Sequence, residues 1–315
     1  MTVSDSSKSD DKSDVNVPPC PEVVPMVMRI SHRLIFILLL LATTGCSGFF
    51  FHPSRDMQES PAVKMFSHRD VVFQASDGMV LHGWYFPAEN ARGSILVLHG
   101  NAQNLSTHVN SVLWLVKEGF NIFIIDYRGY GWSGGEPSLE GAHRDADAAL
   151  EKLFSMLETD PDRVVVLGQS LGGSIAVYTV VHSLHKDRIR ALVIDSAFSG
   201  YRRIAREKLD SFWLTWPFQV PFSWAITDDY SADKWMGQVS PIPVLILHGM
   251  DDAVVPVHHG RILSEAAGQP KELWLTARPG HVQSFGDEAV RKNFVDYLSR
   301  VLPSKTTVGL PANGP

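Results

Sequence analysis

Six short runs of uninterrupted apolar residues constrain this 315-residue chain more than any other feature. They lie at 94–99, 121–126, 163–168, 191–195, 243–248 and 272–276, and Val, Ile and Leu dominate them. A half-exposed sheet shows a polar residue at every second position, so runs without that period suit strands covered on both faces, as in a parallel sheet. Helical stretches separate the runs. Ala142, Ala146, Ala149, Leu150, Leu153 and Leu157 recur at helical spacing, and 171–185 and 287–302 read the same way. Ahead of the series, 70–74 and 79–86 are rich in strand formers and flank Ser76-Asp77-Gly78, a hairpin signal. Two hairpin strands plus six alternating units predict an α/β fold with a mostly parallel, doubly wound sheet of about eight strands. Such sheets bind ligands beyond the carboxyl ends of their strands, and chemistry is therefore expected in the residues that follow each run.

Bulk properties narrow the function. The net charge of -6, with no stripe of Lys or Arg, argues against a nucleic-acid partner. Cys20 and Cys46 are the only cysteines and both precede the patterned region, which leaves no disulfide framework and no Cys-based zinc site there. The sequence has no HExxH, EF-hand loop or P-loop, and no cofactor or metal is expected.

Residues 1–25, rich in Ser, Asp, Lys and Pro, have the composition of a disordered extension. Arg29 and Arg33 then precede an apolar run at 34–42. A bilayer span needs about 20 residues, and a run this short fits the core of a signal peptide. The following Thr43-Thr44-Gly45-Cys46-Ser47 resembles the bacterial lipobox, although Thr43 stands where Leu is preferred. That resemblance implies a lipidated Cys46 at the mature N-terminus. Ser47 is similar to lipoproteins sent to the outer membrane, so the expected location is the bacterial cell envelope, anchored by lipid and facing the periplasm. An uncleaved anchor or a plain secretory signal are the alternatives, and translation from Met26 or Met28 would shorten the extension.

The chemistry-bearing motif is Gly168-Gln169-Ser170-Leu171-Gly172-Gly173, between a predicted strand and a predicted helix. This is the G-x-S-x-G nucleophile elbow in its proper context: small residues permit a sharp turn that lifts the serine above the sheet at the positive end of a helix. A serine hydroxyl needs a base, and in this fold the chain order is Ser, acid, His. His281, in a loop between the last predicted strand and the last predicted helix, holds the base position. His182 and His185 lie away from the elbow tip, while His258 and His259 open a helix as exposed or capping residues. One oxyanion donor is expected from the backbone N–H of Leu171, and the other from the loop after 94–98.

With His99-Gly100-Asn101, the run Asp126-Tyr127-Arg128-Gly129-Tyr130-Gly131-Trp132-Ser133 and the elbow, residues 70–302 resemble the membrane-associated serine hydrolases of the α/β-hydrolase superfamily. The resemblance implies Asn101 as the second oxyanion donor. It implies Asp252 as the triad acid, because 248–256 is similar to the family's HGxxDxxVP segment; Asp251 and, at the end of the preceding run, Asp195 stay open as alternatives. The segment 126–133 is expected to brace the site. The expected activity is carboxylesterase- or lipase-like, cleaving a carboxylic ester or thioester of a small-molecule acyl substrate. Amide or peptide cleavage, or a non-catalytic lipid-anchored binding protein, are the rivals. Epoxide hydrolases and haloalkane dehalogenases carry Asp where Ser170 stands and are disfavoured. The organisation expected is an extension and signal at 1–45, a linker at 46–69, the hydrolase domain at 70–302 and a disordered tail at 303–315. A lid rich in Phe and Trp is expected after the sixth strand, at about 198–238, its aromatic residues either burying against the cleft, to suit an apolar acyl or aromatic substrate group, or forming an ordinary small cap over the core.

Overall fold

The computed structural model describes residues 1–2 and 47–302, apart from 59, 211–213 and 279. The expected signal peptide, the lipidation at Cys46 and the tail at 303–315 fall outside the described residues. The described residues from 47 to 302 belong to one compact unit.

Eight strands make one sheet: β1 (Arg69–Gln74), β2 (Val80–Phe86), β3 (Gly93–Leu98), β4 (Phe120–Asp126), β5 (Val164–Gln169), β6 (Ile189–Asp195), β7 (Val244–Gly249) and β8 (Lys271–Thr276). Their order across the sheet is β1-β2-β4-β3-β5-β6-β7-β8. β2 runs antiparallel to β1 and to β4, and every other pairing is parallel. The chain steps one way from β3 to β4 and the other way from β5 onward. The switch point where a doubly wound sheet opens a crevice therefore lies between the carboxyl ends of β3 and β5.

The apolar runs form these strands because both faces are covered. Leu96, Phe123, Val166, Leu192 and Ile246 enter the core on one face. Their neighbours Ile95, Ile124, Val165, Val193 and Leu245 enter a second core on the other. The principal helices are α1 (Leu139–Ser155), α2 (Leu171–His182), α3 (Tyr201–Asp210), α4 (Gln219–Ala225), α5 (His258–Ala266) and α6 (Glu288–Val301). α1 covers the first face with Ala142, Ala146, Ala149, Leu150 and Leu153. Its cap is the Ser138 side chain, which accepts from the Gly141 amide. Leu157, expected on the same stripe, lies past the end of α1 and is fully exposed. α6 brings Phe294, Tyr297 and Leu298 to the second face.

Two expectations are corrected. The stretch from 47 onward is no free linker. Phe50 and Phe51 are buried, and His52–Pro53 pairs in parallel with Ala102–Gln103. Three adjacent aromatic residues cost too much in water to leave unpacked when an apolar surface is in reach. In the lid, Phe198 is buried and Phe222 packs against the core, but Trp216 and Trp224 are exposed. Phe212 and Trp213 fall outside the described residues.

The turn after β4 is a brace, as its sequence suggests. The buried Arg128 guanidinium donates to Asp145 of α1 at 2.7 and 3.0 Å and to Asp77 of the β1–β2 turn at 2.8 Å. Burial pushes the Asp145 carboxyl up, and the contact with Arg128 opposes that shift. Arg128→Ala strands this carboxylate in the interior. It is expected to lower the unfolding free energy by about 3–5 kcal/mol, read from the urea midpoint at neutral pH.

Candidate active site

The elbow is a consequence of close approach. Ser170 sits between β5 and α2 with φ 53°, in the left-handed region that a non-glycine residue adopts only when its surroundings enforce it. Its amide donates to the carbonyl of Asp195 at 2.9 Å, extending the β5–β6 ladder by one rung. The helix then turns back hard against the sheet. A Cβ added at Gly172 would lie 2.0 Å from the Leu98 carbonyl oxygen, and one at Gly168 would lie 2.4 Å from the Gly172 carbonyl oxygen. Only glycines fit both places.

His281 stands in the loop between β8 and α6. Its Nε2 lies 2.8 Å from Ser170 Oγ, and its Nδ1 lies 2.7 Å from Asp252 Oδ2. The Asp252 side chain is fully buried, and its Oδ1 accepts from the amides of Val254 and Val255 at 2.8 and 2.9 Å. Burial works against this carboxylate, but the hydrogen bonds from His281 and from these two amides outweigh it and hold its pKa below the usual range. Asp251, its neighbour in the chain, is exposed. The arrangement is therefore Ser170–His281–Asp252, at the carboxyl ends of β5, β8 and β7.

Asp195 has a different part. It is wholly buried at the end of β6 and accepts from Ser284 Oγ at 2.7 Å and Ser196 Oγ at 3.2 Å. Ser196 Oγ in turn accepts from the amide of Val282, the residue after the base, at 3.3 Å. Ser196 and Val282 both have positive φ, 57° and 55°, so strained residues gather around the base loop as well as the nucleophile. No motif in the sequence announces Ser196, Ser284 or Val282.

The loop after β3 carries the second expected donor. Gly100 faces the nucleophile, and a Cβ there would meet the Ser170 Cβ at 3.5 Å. Asn101 is held from two sides through its carbonyl, which accepts from Tyr130 Oη at 2.6 Å and from the His52 amide at 2.8 Å. Tyr127 Oη donates to the His99 carbonyl at 3.2 Å, and Asp126 Oδ1 accepts from the Leu105 amide at 2.8 Å. Thus the residues of 126–130 reach the site only by holding this loop. Leu171, at the first position of α2, directs its amide from the positive end of that helix.

A cavity of about 400 Å³ opens beside Ser170, lined by Phe49, Phe50, His52, Asn101, Leu171, Phe198, Ile204, Lys208, Val254 and Val255. Among these lining residues none is a carboxylate.

One group of metal-ligand residue types occurs among the described residues: Glu207, His258 and His259. His258 is exposed, while His259, expected on the surface, is buried. The Ser199 amide donates to His259 Nδ1 at 3.1 Å, which assigns the ring hydrogen to Nε2; Nε2 then donates to Glu207 Oε2 at 2.9 Å. A metal would need the lone pair that this tautomer lacks. Burial pushes the His259 pKa down to about 4, in keeping with a neutral ring.

The family model described as serine aminopeptidase, S33, matches residues 89–234. The uncharacterized protein YfhR of Escherichia coli K12 is 32% identical over 293 residues, covering 90% of this chain and 98% of that protein. The α/β-hydrolase domain-containing protein WAV2 of Arabidopsis thaliana is 31% identical over 275 residues, covering 80% and 85%. Among solved structures, the Pyrococcus furiosus esterase Pf2001 aligns with a TM-score of 0.64 at 23% identity, covering 81% of this chain and 98% of that one. The chain belongs to the α/β-hydrolase superfamily.

Burial raises the Asp195 pKa from an ordinary 3.8 to about 6. Between these values the folded chain holds a proton that the unfolded chain releases. The contribution of Asp195 to stability is therefore full below about pH 4 and falls as pH rises to about 6, by roughly 3 kcal/mol. In Asp195→Asn that decline is expected to vanish. Urea unfolding at acid and neutral pH should show the variant gaining on the parent as pH rises.

Proposed function

We propose that the chain is a serine esterase that cleaves carboxylic esters or thioesters of an apolar acyl group through an acyl-Ser170 intermediate. The observation that carries this reading is the continuous hydrogen-bond chain from Ser170 through His281 to Asp252, opening on an apolar cavity. Ser170 Oγ attacks the acyl carbon while its proton passes to His281 Nε2. Asp252, hydrogen-bonded to Nδ1, fixes the tautomer and stabilises the imidazolium. The carbonyl oxygen becomes an oxyanion facing the amides of Asn101 and Leu171. His281 then protonates the leaving oxygen or sulfur. In the second half it takes a proton from water, which attacks the acyl carbon; the acid leaves and Ser170 recovers its proton.

The description of the matching family model favours a second reading, aminopeptidase action. An aminopeptidase has to pair the substrate's ammonium, and no carboxylate lines the cavity. An apolar acyl group suits the Phe, Ile and Val lining better.

Lipidation of Cys46 would hold the enzyme in the bacterial envelope, on the outer membrane facing the periplasm. Labelled palmitate fed to expressing bacteria is expected to enter the protein and to be lost in Cys46→Ser.

A fluorophosphonate probe tests the chemistry. Labelling is expected for the parent, absent in Ser170→Ala and at least about a hundredfold slower in His281→Ala. Asp252→Ala should slow ester hydrolysis strongly and Asp251→Ala hardly at all. An unlabelled, folded parent would overturn the reading.

A further inference from the structure

The residues directly behind Cys46 take part in the site. Phe49 lies with its ring 5.6 Å from that of Phe222 on α4. Phe50 packs edge-on against Tyr201 at 5.2 Å and lies 6.3 Å from Phe198. Phe51 meets Tyr130, the residue whose hydroxyl holds the Asn101 carbonyl. The His52 amide donates to that same carbonyl, and the Ser54 amide donates to Gln103. Asn104 completes the clasp by donating to the carbonyls of Ser54 and Asp56 at 3.1 and 2.8 Å. The segment is therefore fixed at several points to the loop carrying the oxyanion donor.

Within this clasp the three phenylalanines divide the work. Phe51 is absent from the cavity lining, whereas Phe49 and Phe50 both line it. Phe50 is almost fully buried and wedged between α3 and the core, so shortening it would unpack the fold. Phe49 is only partly buried, with one side toward the cavity and the other toward Phe222. It can be resized with the least damage. The lining also includes the aliphatic Val254, Val255 and Ile204, and a cavity of about 400 Å³ is at the small end for a ligand site.

We infer that Phe49 sets the acyl-chain length this enzyme accepts, and that the cavity takes a single unbranched acyl chain of medium length, stopped against the Phe49 ring. The inference rests on the esterase reading above and adds the substrate class. Recognition would come from an N-terminal segment outside the αβ units and the lid, so acyl selectivity and the attachment point at Cys46 would be only a few residues apart.

The test uses the full chain in detergent micelles with p-nitrophenyl butanoate and dodecanoate. The ratio of kcat/KM for the long ester to that for the short one is the readout. Phe49→Ala, which opens the cavity, is expected to raise this ratio by about tenfold or more, and Phe49→Trp to lower it, since each methylene accommodated or excluded is worth a sizeable factor. Trp224→Ala, on the exposed side of α4, should leave the ratio where it is. A structural role alone would lower both esters together and leave the ratio flat in all three variants. If Phe49→Ala does not fold, Phe49→Leu and Phe49→Trp give the same comparison in smaller steps. A flat ratio in variants that still react with the fluorophosphonate probe would overturn this inference and spare the esterase reading. Failure of the parent to react would overturn both.

Discussion

The catalytic arrangement depends on one steric fact, the contact of the first turn of α2 with the carboxyl end of β3. Gly172 lies so close to the Leu98 carbonyl that any side chain would collide with it. This contact sets how sharply the chain reverses after β5, and so how far Ser170 rises above the sheet. The left-handed backbone of Ser170 costs of order 1–3 kcal/mol. It is held by the Ser170 amide bonded to Asp195 and by the carbonyl accepting from Gly173 at 3.0 Å. Strand pairing is thus extended one residue into the site.

The base is positioned by softer means. His281 lies between Gly280 and Val282, both with positive φ, in a loop that no strand or helix fixes directly. Its orientation comes from Asp252 on one side and from the Asp195–Ser196–Val282 links on the other. Asp195 keeps one oxygen without a partner, and burial raises its pKa. Burial makes the Asp195 carboxyl harder to ionise, whereas hydrogen bonds from His281 and two amides hold the pKa of Asp252 below the usual range. The two aspartates follow adjacent strands, and their surroundings separate their roles.

Much of this was legible in the sequence, for identifiable reasons. The runs at 94–99, 121–126 and 163–168 could be read as strands because burial on both faces leaves an unmistakable composition. Ser170 could be read because its turn admits only small residues two before and two after it. Asp252 could not be told from Asp251 by pattern alone; resemblance supplied the choice, and what separates them is burial and the amides of Val254 and Val255. The exposure of Trp216 and Trp224, and the burial of His259, depend on tertiary neighbours that composition does not reveal. The segment from 47 to 58 escaped altogether, because its partners at 101–106 lie far along the chain and its ladder is only two residues long. Only the run Phe49-Phe50-Phe51 hinted that it was packed.

That distant pairing bears on the order in which the active centre is assembled. His52–Pro53 cannot find Ala102–Gln103 until β1, β2 and β3, which lie between them in the chain, have been made. Closing a loop of that length costs entropy before any contact rewards it. The segment at 47–58 can therefore dock only after β3 has been made, and the Asn101 loop gains its second support only then. A newly made chain can complete its sheet while its oxyanion loop still lacks that support. The support of the Asn101 loop is thereby tied to a step in which an early part of the polypeptide returns to the sheet it preceded.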